Sequence, residues 1–177
     1  MAKAPKIVNS VLASSIYDKL SQVSIGYVDT PLLSIPTLTQ RAAEHKFTVF
    51  DLEYLEKLSR DDRAKLLLIV QDPFTSFYDA KVVEDFMLLV KKLGFEPILL
   101  PFKPNGKPQH VKGFLAKFAK TATSTAQFLN KIHQLEIPMV GLDASLTLCF
   151  RDEYKQALGD NRGDFVVNLA HEWLLTI

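Results

Sequence analysis

Cysteine is nearly absent from this sequence, in which Cys149 is the only one among 177 residues. A single cysteine excludes a disulfide within the chain and any metal site built from the chain's own cysteines alone. Such low cysteine content fits a reducing compartment. We therefore expect a cytoplasmic location.

The sequence also lacks an excess of charge and a long apolar run. Twenty-one Lys and Arg residues against 20 Asp and Glu residues give a net charge of +1, so no general attraction to nucleic acid or anionic lipid is expected. No run approaches the about 18 apolar residues that span a bilayer, and the first ten residues lack the apolar core of a signal peptide. We expect neither a nucleic-acid partner nor a transmembrane segment.

What the second half of the chain does contain is an alternation of short apolar runs and longer helical patterns. The run LLLIV at residues 66–70 is short and apolar throughout, which is typical of a central strand buried on both faces. Residues 95–100 and 137–142 are the next two predicted strands. We therefore predict an α/β fold, a Rossmann-like three-layer domain with a short parallel sheet flanked by helices.

Four helices are predicted around these strands, over residues 79–93, 111–133, 143–158 and 165–175. In the first of them the predicted buried stripe consists of Val82, Phe86, Leu89 and Leu93, with Val83 and Val90 flanking it, and Glu84 is predicted to face water. Gly94 ends that helix. The spine of the second consists of Phe114, Phe118, Ala122, Ala126 and Leu129.

The N-terminal part lacks this alternation of strands and helices. Residues 1–10 are predicted as a loose lead-in, followed by an amphipathic helix over residues 11–23 that Gly26 ends. Pro31 and Pro36 keep residues 29–36 extended, and short helices follow after Thr37 or Thr39 and over residues 51–58. We predict that residues 1–62 pack as a helical and extended segment on an α/β domain of residues 63–177.

The candidate site lies after the strands, because ligands of open α/β sheets bind outside the carboxyl ends of the strands. Polar and small residues that follow the three predicted strands would meet at this edge. The candidate residues are Asp72, Tyr78, Asn105, Gly106, Lys107, His110, Ser145 and Cys149.

The Asn105-Gly106 loop has two interpretations, an anion-binding site and a plain turn. Backbone amides of a glycine turn that opens a helix can bind an anion, and Lys107 and His110 add positive charge. The same residues are typical of a plain turn between a strand and a helix, and their spacing matches neither a P-loop nor a dinucleotide fingerprint.

The remaining chemistry-bearing residues predict no catalytic residue and no metal site. The four histidines lie in separate elements without metal-ligand spacing. Ser145 lacks the GxSxG context of a nucleophile, and Cys149 is most simply a small buried hydrophobe.

Much of the chain resembles the C-terminal region of the large bacterial FAD-linked oxidases of the YdiJ type. The resemblance is carried by DTPLLSIPTL at residues 29–38 and by residues 70–122 and 137–159. Those oxidases are similar to D-2-hydroxyglutarate and D-lactate dehydrogenases. The resemblance implies a parent chain with a flavin domain, a ferredoxin-like iron–sulfur domain and cysteine-rich CCG modules, with FAD and 4Fe-4S clusters as cofactors.

The resemblance also implies a degenerate CCG module. Gly106 matches the motif glycine, but Pro104 and Asn105 stand where its paired cysteines belong. Leu146 replaces a later cysteine between Ser145 and Cys149.

The first strand is followed by Asp72 and Pro73 instead of a cysteine. Thiolates bind iron–sulfur clusters, so no cofactor is expected in this chain itself.

We therefore interpret the chain as a fragment of an FAD- and iron–sulfur-dependent D-2-hydroxyacid dehydrogenase. The apolar ending at Ile177 favours a cut chain, with the intact motif beyond it. The fragment would be a structural or docking domain rather than a catalyst, with the flavin, ferredoxin-like and CCG domains as partners and a location in the cytoplasm or, through the parent, at the inner membrane. Two alternatives are a small-anion or nucleotide-binding module, and a homo-oligomer formed through exposed apolar helices.

Overall fold

The run LLLIV forms the central strand of a parallel sheet in the computed structural model, which describes residues 4–25 and 30–177. Strand β1 (Leu66–Val70) pairs with β2 (Glu96–Leu99) on one side and with β3 (Met139–Gly141) on the other. A two-residue strand, β4 (Asn168–Leu169), pairs with β3. All these pairings are parallel, and helices flank the sheet, which confirms the predicted fold class.

The chain divides into two compact units. The first consists of residues 1–46 and 73–85, and the second of residues 47–72 and 86–177, which include the sheet. The domain boundary that the sequence predicts near residue 63 stays a prediction.

The first unit contains α1 (Pro5–Leu12), α2 (Ser15–Ile25), α3 (Leu38–Glu44) and a π-helical turn (Phe74–Tyr78). Helix α6 (Ala80–Lys92) begins in the first unit and ends in the second. The other helices of the second unit are α4 (Leu52–Lys57), α5 (Arg60–Arg63), α7 (Lys107–Val111), α8 (Leu115–His133), α9 (Ala144–Cys149), α10 (Glu153–Leu158) and α11 (Ala170–Leu174), with a 3-10 turn at Gly159–Arg162.

The core of the second unit lies on both faces of the sheet. Leu68 is buried in a cluster with the α8 residues Phe118, Ala122, Ala126 and Leu129, which confirms this part of the predicted spine. Leu67 and Ile69 point to the opposite face, since side chains alternate along a strand, and they are also buried. A strand that is apolar at every position therefore has both of its faces covered.

Several helix boundaries were predicted wrongly in the second unit. The helix expected over residues 111–133 begins only at Leu115, because the chain turns at Gly113, which has a φ of +74°. Val111 is instead the last residue of the separate short helix α7. Phe114 precedes α8 and is half-exposed instead of buried. The helix expected over residues 143–158 is divided into α9 and α10. Asp143 caps α9, accepting a hydrogen bond from Leu146 N at 2.8 Å.

The C-terminal helix was also predicted too long. Residues 168 and 169 form β4, and only Ala170–Leu174 is helical. The reason is that β3 offers a free edge for parallel pairing, and this partner is distant in sequence. Val166, which lies before β4 in the range predicted to be helical, is half-exposed.

The N-terminal prediction needs correction as well. Residues 5–10 were expected to be loose but belong to α1, and the single helix expected over residues 11–23 is divided between α1 and α2. The boundary follows from local capping, because Ser14 Oγ accepts a hydrogen bond from Tyr17 N at 3.2 Å at the start of α2. Gly26 and Asp29 lie outside the described residues. Residues 30–36 contain no helix, as predicted, and Thr37 caps α3.

The buried stripe of α6 is displaced from the predicted one. Val82, Leu89 and Leu93 are exposed, and of the predicted stripe only Phe86 is buried. The buried residues of α6 are Ala80, Val83, Glu84, Phe86, Met87 and Val90. Two apolar stripes lie side by side on this helix, about 100° apart, so periodicity alone does not choose between them.

Glu84 was predicted to face water but is buried inside the first unit. Its carboxylate accepts hydrogen bonds from Arg41 Nη1 at 2.5 Å and from His45 Nε2 at 2.7 Å. The bond from His45, together with that from Arg41, holds the pKa of the Glu84 carboxyl below its ordinary value despite the opposing effect of burial. Two segments of the first unit, residues 1–46 and 73–85, are thus joined by a paired charge.

No helix among the described residues combines the length and the apolar character that crossing a bilayer requires.

We predict that Glu84→Gln lowers the free energy of unfolding by about 1–3 kcal/mol at pH 7, because charged hydrogen bonds are lost. The folded pKa of Glu84 lies below the unfolded one, so its contribution is complete above the ordinary carboxyl pKa and is lost as pH falls through the folded value. Urea titrations at several pH values should show that the free energies of unfolding of the variant and of the unsubstituted protein converge in acid.

Asp85→Asn is the matched control, since Asp85 forms an exposed pair with Lys81 one turn away. Its effect should be much smaller than that of Glu84→Gln, because an exposed ion pair is screened by water and contributes little. Equal effects of the two substitutions at pH 7 would contradict the buried role of Glu84.

Candidate functional site

The carboxyl ends of β1 and β3 border a small crevice in the second unit. Its lining includes Asp72 after β1, Asn105 after β2, Gly141 at the end of β3, and Leu146 and Thr147 of α9. The cavity has a volume of about 10 Å³, which is the space of roughly one water molecule. The edge where α/β sheets bind their ligands is therefore nearly filled by protein.

Asn105 fills much of this edge. Its side chain is 5% exposed, with Nδ2 donating to Leu146 O at 3.0 Å and Oδ1 accepting from Lys107 N at 3.1 Å. Its backbone oxygen accepts a hydrogen bond from the Tyr154 hydroxyl at 2.8 Å. One residue of the β2–α7 loop thus fixes the position of both α9 and α10.

Gly106 is required by the same turn. It adopts a φ of +85°, and a Cβ built there would lie 2.9 Å from Cδ2 of Phe118, a ring that is 1% exposed. Both the backbone conformation and the close approach of the ring favour glycine.

The positive charge of Lys107 is neutralised by Glu153 of α10, with which it forms a hydrogen-bonded ion pair. The bond to Glu153 raises the pKa of Lys107. Burial opposes ionisation of Glu153, but the pairing with Lys107 outweighs it and keeps the pKa of the carboxyl below its ordinary value. Lys107 is therefore not free to attract an anion.

The backbone amides at the start of α7 are also occupied. The Lys107 amide donates to the Asn105 side chain, Pro108 has no amide hydrogen, and the Gln109 amide donates to Gly106 O at 2.9 Å. None of these three residues can offer an amide to a bound anion without breaking an existing hydrogen bond.

Cys149 lies on α9 beside this cluster and is completely buried. Burial raises the pKa of its thiol to about 12, and the neighbouring Glu153 carboxylate acts in the same direction. Burial also raises the pKa of the Tyr154 hydroxyl. Neither group is ionised near pH 7, so neither is an activated nucleophile or a general base.

The remaining candidate residues are not part of the crevice. Ser145 is exposed on α9, and Tyr78 belongs to the π-helical turn of the first unit, where it is partly exposed. His110 lies on α7, with its ring 5.0 Å from that of Phe118. It lines a separate groove of about 270 Å³ together with residues of α8 and α10.

Sequence reasoning missed Glu153 and Tyr154, which complete the cluster around Asn105. Cys149 and Glu153 are four residues apart, a spacing that would place them on one face of a helix. That spacing is the available signal for Glu153, whereas nothing local connects Tyr154 with the Asn105 backbone, 49 residues away.

Among residues 4–25 and 30–177, no three His, Cys, Asp or Glu side chains are placed so that they could hold a metal ion. With its lysine paired and its thiol protonated, the strand-end cluster is suited to holding α7, α9 and α10 together.

The fold and this edge define a small parallel α/β domain whose usual ligand site is closed by its own side chains. The chain is 57% identical over 174 residues to D-2-hydroxyglutarate dehydrogenase of Escherichia coli and 56% identical over 174 residues to that of Pantoea ananatis. A protein of the same name from Pseudomonas putida is 33% identical over 177 residues.

These matches cover 98–100% of this chain but only 17–18% of each relative. The chain thus spans about a sixth of the length of the curated relatives that it matches. No family model matches the sequence, and no solved structure matches it.

We predict that Gly106→Ala destabilises the protein more than Gly94→Ala does. Both glycines have a positive φ, +85° and +88°, so each substitution has a cost of about 1 kcal/mol for the left-handed backbone. Only the Gly106 methyl meets a buried ring, which should add about 1–3 kcal/mol.

Urea unfolding of the two variants measures this difference directly, because a Cβ at Gly94 has nothing within 4 Å. Equal losses of stability would show that the contact between Gly106 and Phe118 does not constrain the turn.

We also predict that Cys149 does not react with a thiol reagent such as 5,5′-dithiobis(2-nitrobenzoate) at pH 8 in the folded protein. The thiol is inaccessible, and its pKa of about 12 leaves almost no thiolate. In guanidinium chloride, one thiol per chain should react within minutes, and labelling at that rate without denaturant would contradict the buried position.

Proposed function

We propose that this chain is a non-catalytic structural and docking domain of a larger FAD- and iron–sulfur-dependent D-2-hydroxyacid dehydrogenase. The observation that carries the proposal is 57% identity over 174 residues to about one sixth of the Escherichia coli dehydrogenase. Nearly all of this chain thus corresponds to one stretch of a much longer relative.

The arrangement of the strand ends supports a domain that has lost cluster ligands. Asp72, Asn105 and Leu146 stand where the resemblance to a CCG module places cysteines, and all three line the same crevice. A carboxylate, an amide and an aliphatic side chain replace the thiolates, and the space between them is about 10 Å³.

A 4Fe-4S cluster does not fit this chain, because such a cluster is held by cysteine thiolates and the chain has one cysteine, which is buried and protonated. We place FAD and the clusters in the remainder of the larger enzyme. There the flavin would accept electrons from the 2-hydroxy acid, and the clusters would carry them onward.

The contribution of this chain is then structural and not catalytic. The hydrogen bonds of Asn105 and the pair of Lys107 with Glu153 hold the edge of the sheet rigid. We propose the flavin, ferredoxin-like and CCG domains of the same polypeptide as its partners, and the cytoplasm as its location. An anion at the Asn105-Gly106 loop would have to displace existing partners, because Lys107 is paired with Glu153 and its amide donates to Asn105.

A chimera tests this proposal, with this chain replacing the matching 174 residues of the Escherichia coli dehydrogenase. We expect the chimera to oxidise D-2-hydroxyglutarate, measured by reduction of an artificial electron acceptor, at a rate within about tenfold of the unmodified enzyme. The isolated 177-residue chain should show no such activity and contain no stoichiometric iron or flavin.

Deletion of the same stretch from the Escherichia coli enzyme is the matched control and should reduce its activity or its yield of folded protein. Two results would contradict the proposal. One is a folded but inactive chimera, and the other is oxidation of D-2-hydroxyglutarate by the isolated chain.

A further inference from the structure

The first unit has little hydrophobic core of its own. Among its described residues the buried hydrophobic side chains are Leu38, Ala80 and Val83. Its two segments are joined by polar contacts, including the pair of Arg41 with Glu84. A unit of this size that buries so few apolar side chains normally gains stability by covering further apolar surface.

That further surface is present on α1 and α2. Ile16, Leu20 and Val23 lie at positions i, i+4 and i+7 of α2, so they share one face of the helix, and their exposed fractions are 71%, 64% and 87%. On α1, Ile7 and Val11 are 69% and 54% exposed. Each helix therefore presents an unpartnered apolar strip.

The charge around these strips is small and balanced. The two helices contain three charged residues, all exposed: Lys6 on α1, and Asp18 and Lys19 on α2. A strongly charged partner, such as nucleic acid or an anionic membrane, would find no complementary field here. The partner surface that fits is apolar and nearly uncharged.

The size of the strips argues against a second copy as the partner. Helices of eight and eleven residues are roughly 12 Å and 16 Å long, so strips about 10 Å wide provide roughly 300 Å² in total. A stable dimer buries about 800 Å² on each partner. A tethered neighbour needs far less, because the connection gives it an effective concentration of about millimolar.

The curated relatives are long enough to contain a tethered neighbour. At most three residues of this chain lie outside the match to the Escherichia coli dehydrogenase, so α1 and α2 correspond to part of a polypeptide about six times as long. We infer that the apolar strips of α1 and α2 dock on an apolar, nearly uncharged surface of the remaining part of that same polypeptide. This inference rests on the proposed function.

Hydrogen–deuterium exchange of the chimera and of the isolated chain tests the inference. In the chimera, the amides of α1 and α2 should exchange at least about tenfold more slowly than in the isolated chain, because docking suppresses local opening. Leu20→Glu in the chimera should remove most of this protection. Leucine and glutamate have similar helix propensities, so circular dichroism of the isolated variant should be unchanged.

Gln22→Glu is the matched control, since Gln22 is exposed two residues along the same helix and therefore on another face. It introduces the same charge and should leave the protection intact. Sedimentation velocity of the isolated chain should show a monomer from about 10 to 200 μM, below the millimolar range in which tethering acts.

Two results would overturn the docking inference: equal exchange in the chimera and the isolated chain, or a dimer of the isolated chain that Leu20→Glu dissociates. The second would assign the strips to a second copy. An active chimera with unprotected helices would overturn the docking alone. An inactive chimera with protected helices would overturn the proposed function alone.

Discussion

The second unit depends on the buried amide of Asn105. Its side chain and backbone oxygen together bond Leu146 of α9, Tyr154 of α10 and the first amide of α7. A buried amide without these partners would be costly, so the three helices and the loop are constrained together. Gly106 adopts a left-handed backbone conformation next to the Phe118 ring. The ion pair of Lys107 with Glu153 links the same turn to α10.

The hydrogen bonds of Asn105 constrain the edge of the sheet at which an α/β fold usually binds its ligand. The Asn105 side chain at the end of β2 is hydrogen-bonded to Leu146 O and to the Lys107 amide, and the space left in the crevice is about that of one water molecule. The nearby thiol is protonated, because burial raises its pKa. A closed and rigid edge of this kind supports the structural role that we propose.

The two units are stabilised by different interactions. The second has a continuous apolar core around Leu68 and Phe118. The first relies on polar contacts, such as Ser34 N donating to Phe77 O at 2.7 Å and the Glu84 carboxylate accepting hydrogen bonds from Arg41 and His45. Polar contacts give specific geometry but modest net free energy, and the buried hydrophobic side chains among the described residues of this unit are Leu38, Ala80 and Val83.

The sequence by itself determined the parallel sheet and most of its strands, because LLLIV is apolar at every position and such a run requires cover on both faces. It also favoured caps at Asp143 and at Thr37 or Thr39, and the structure has caps at Asp143 and Thr37, which bond residues three positions away. Only the tertiary structure decided which stripe of α6 is buried, because Glu84 is held by Arg41, 43 residues distant. The same holds for β4 and for Tyr154 at the site, since their partners come from segments that only folding brings together.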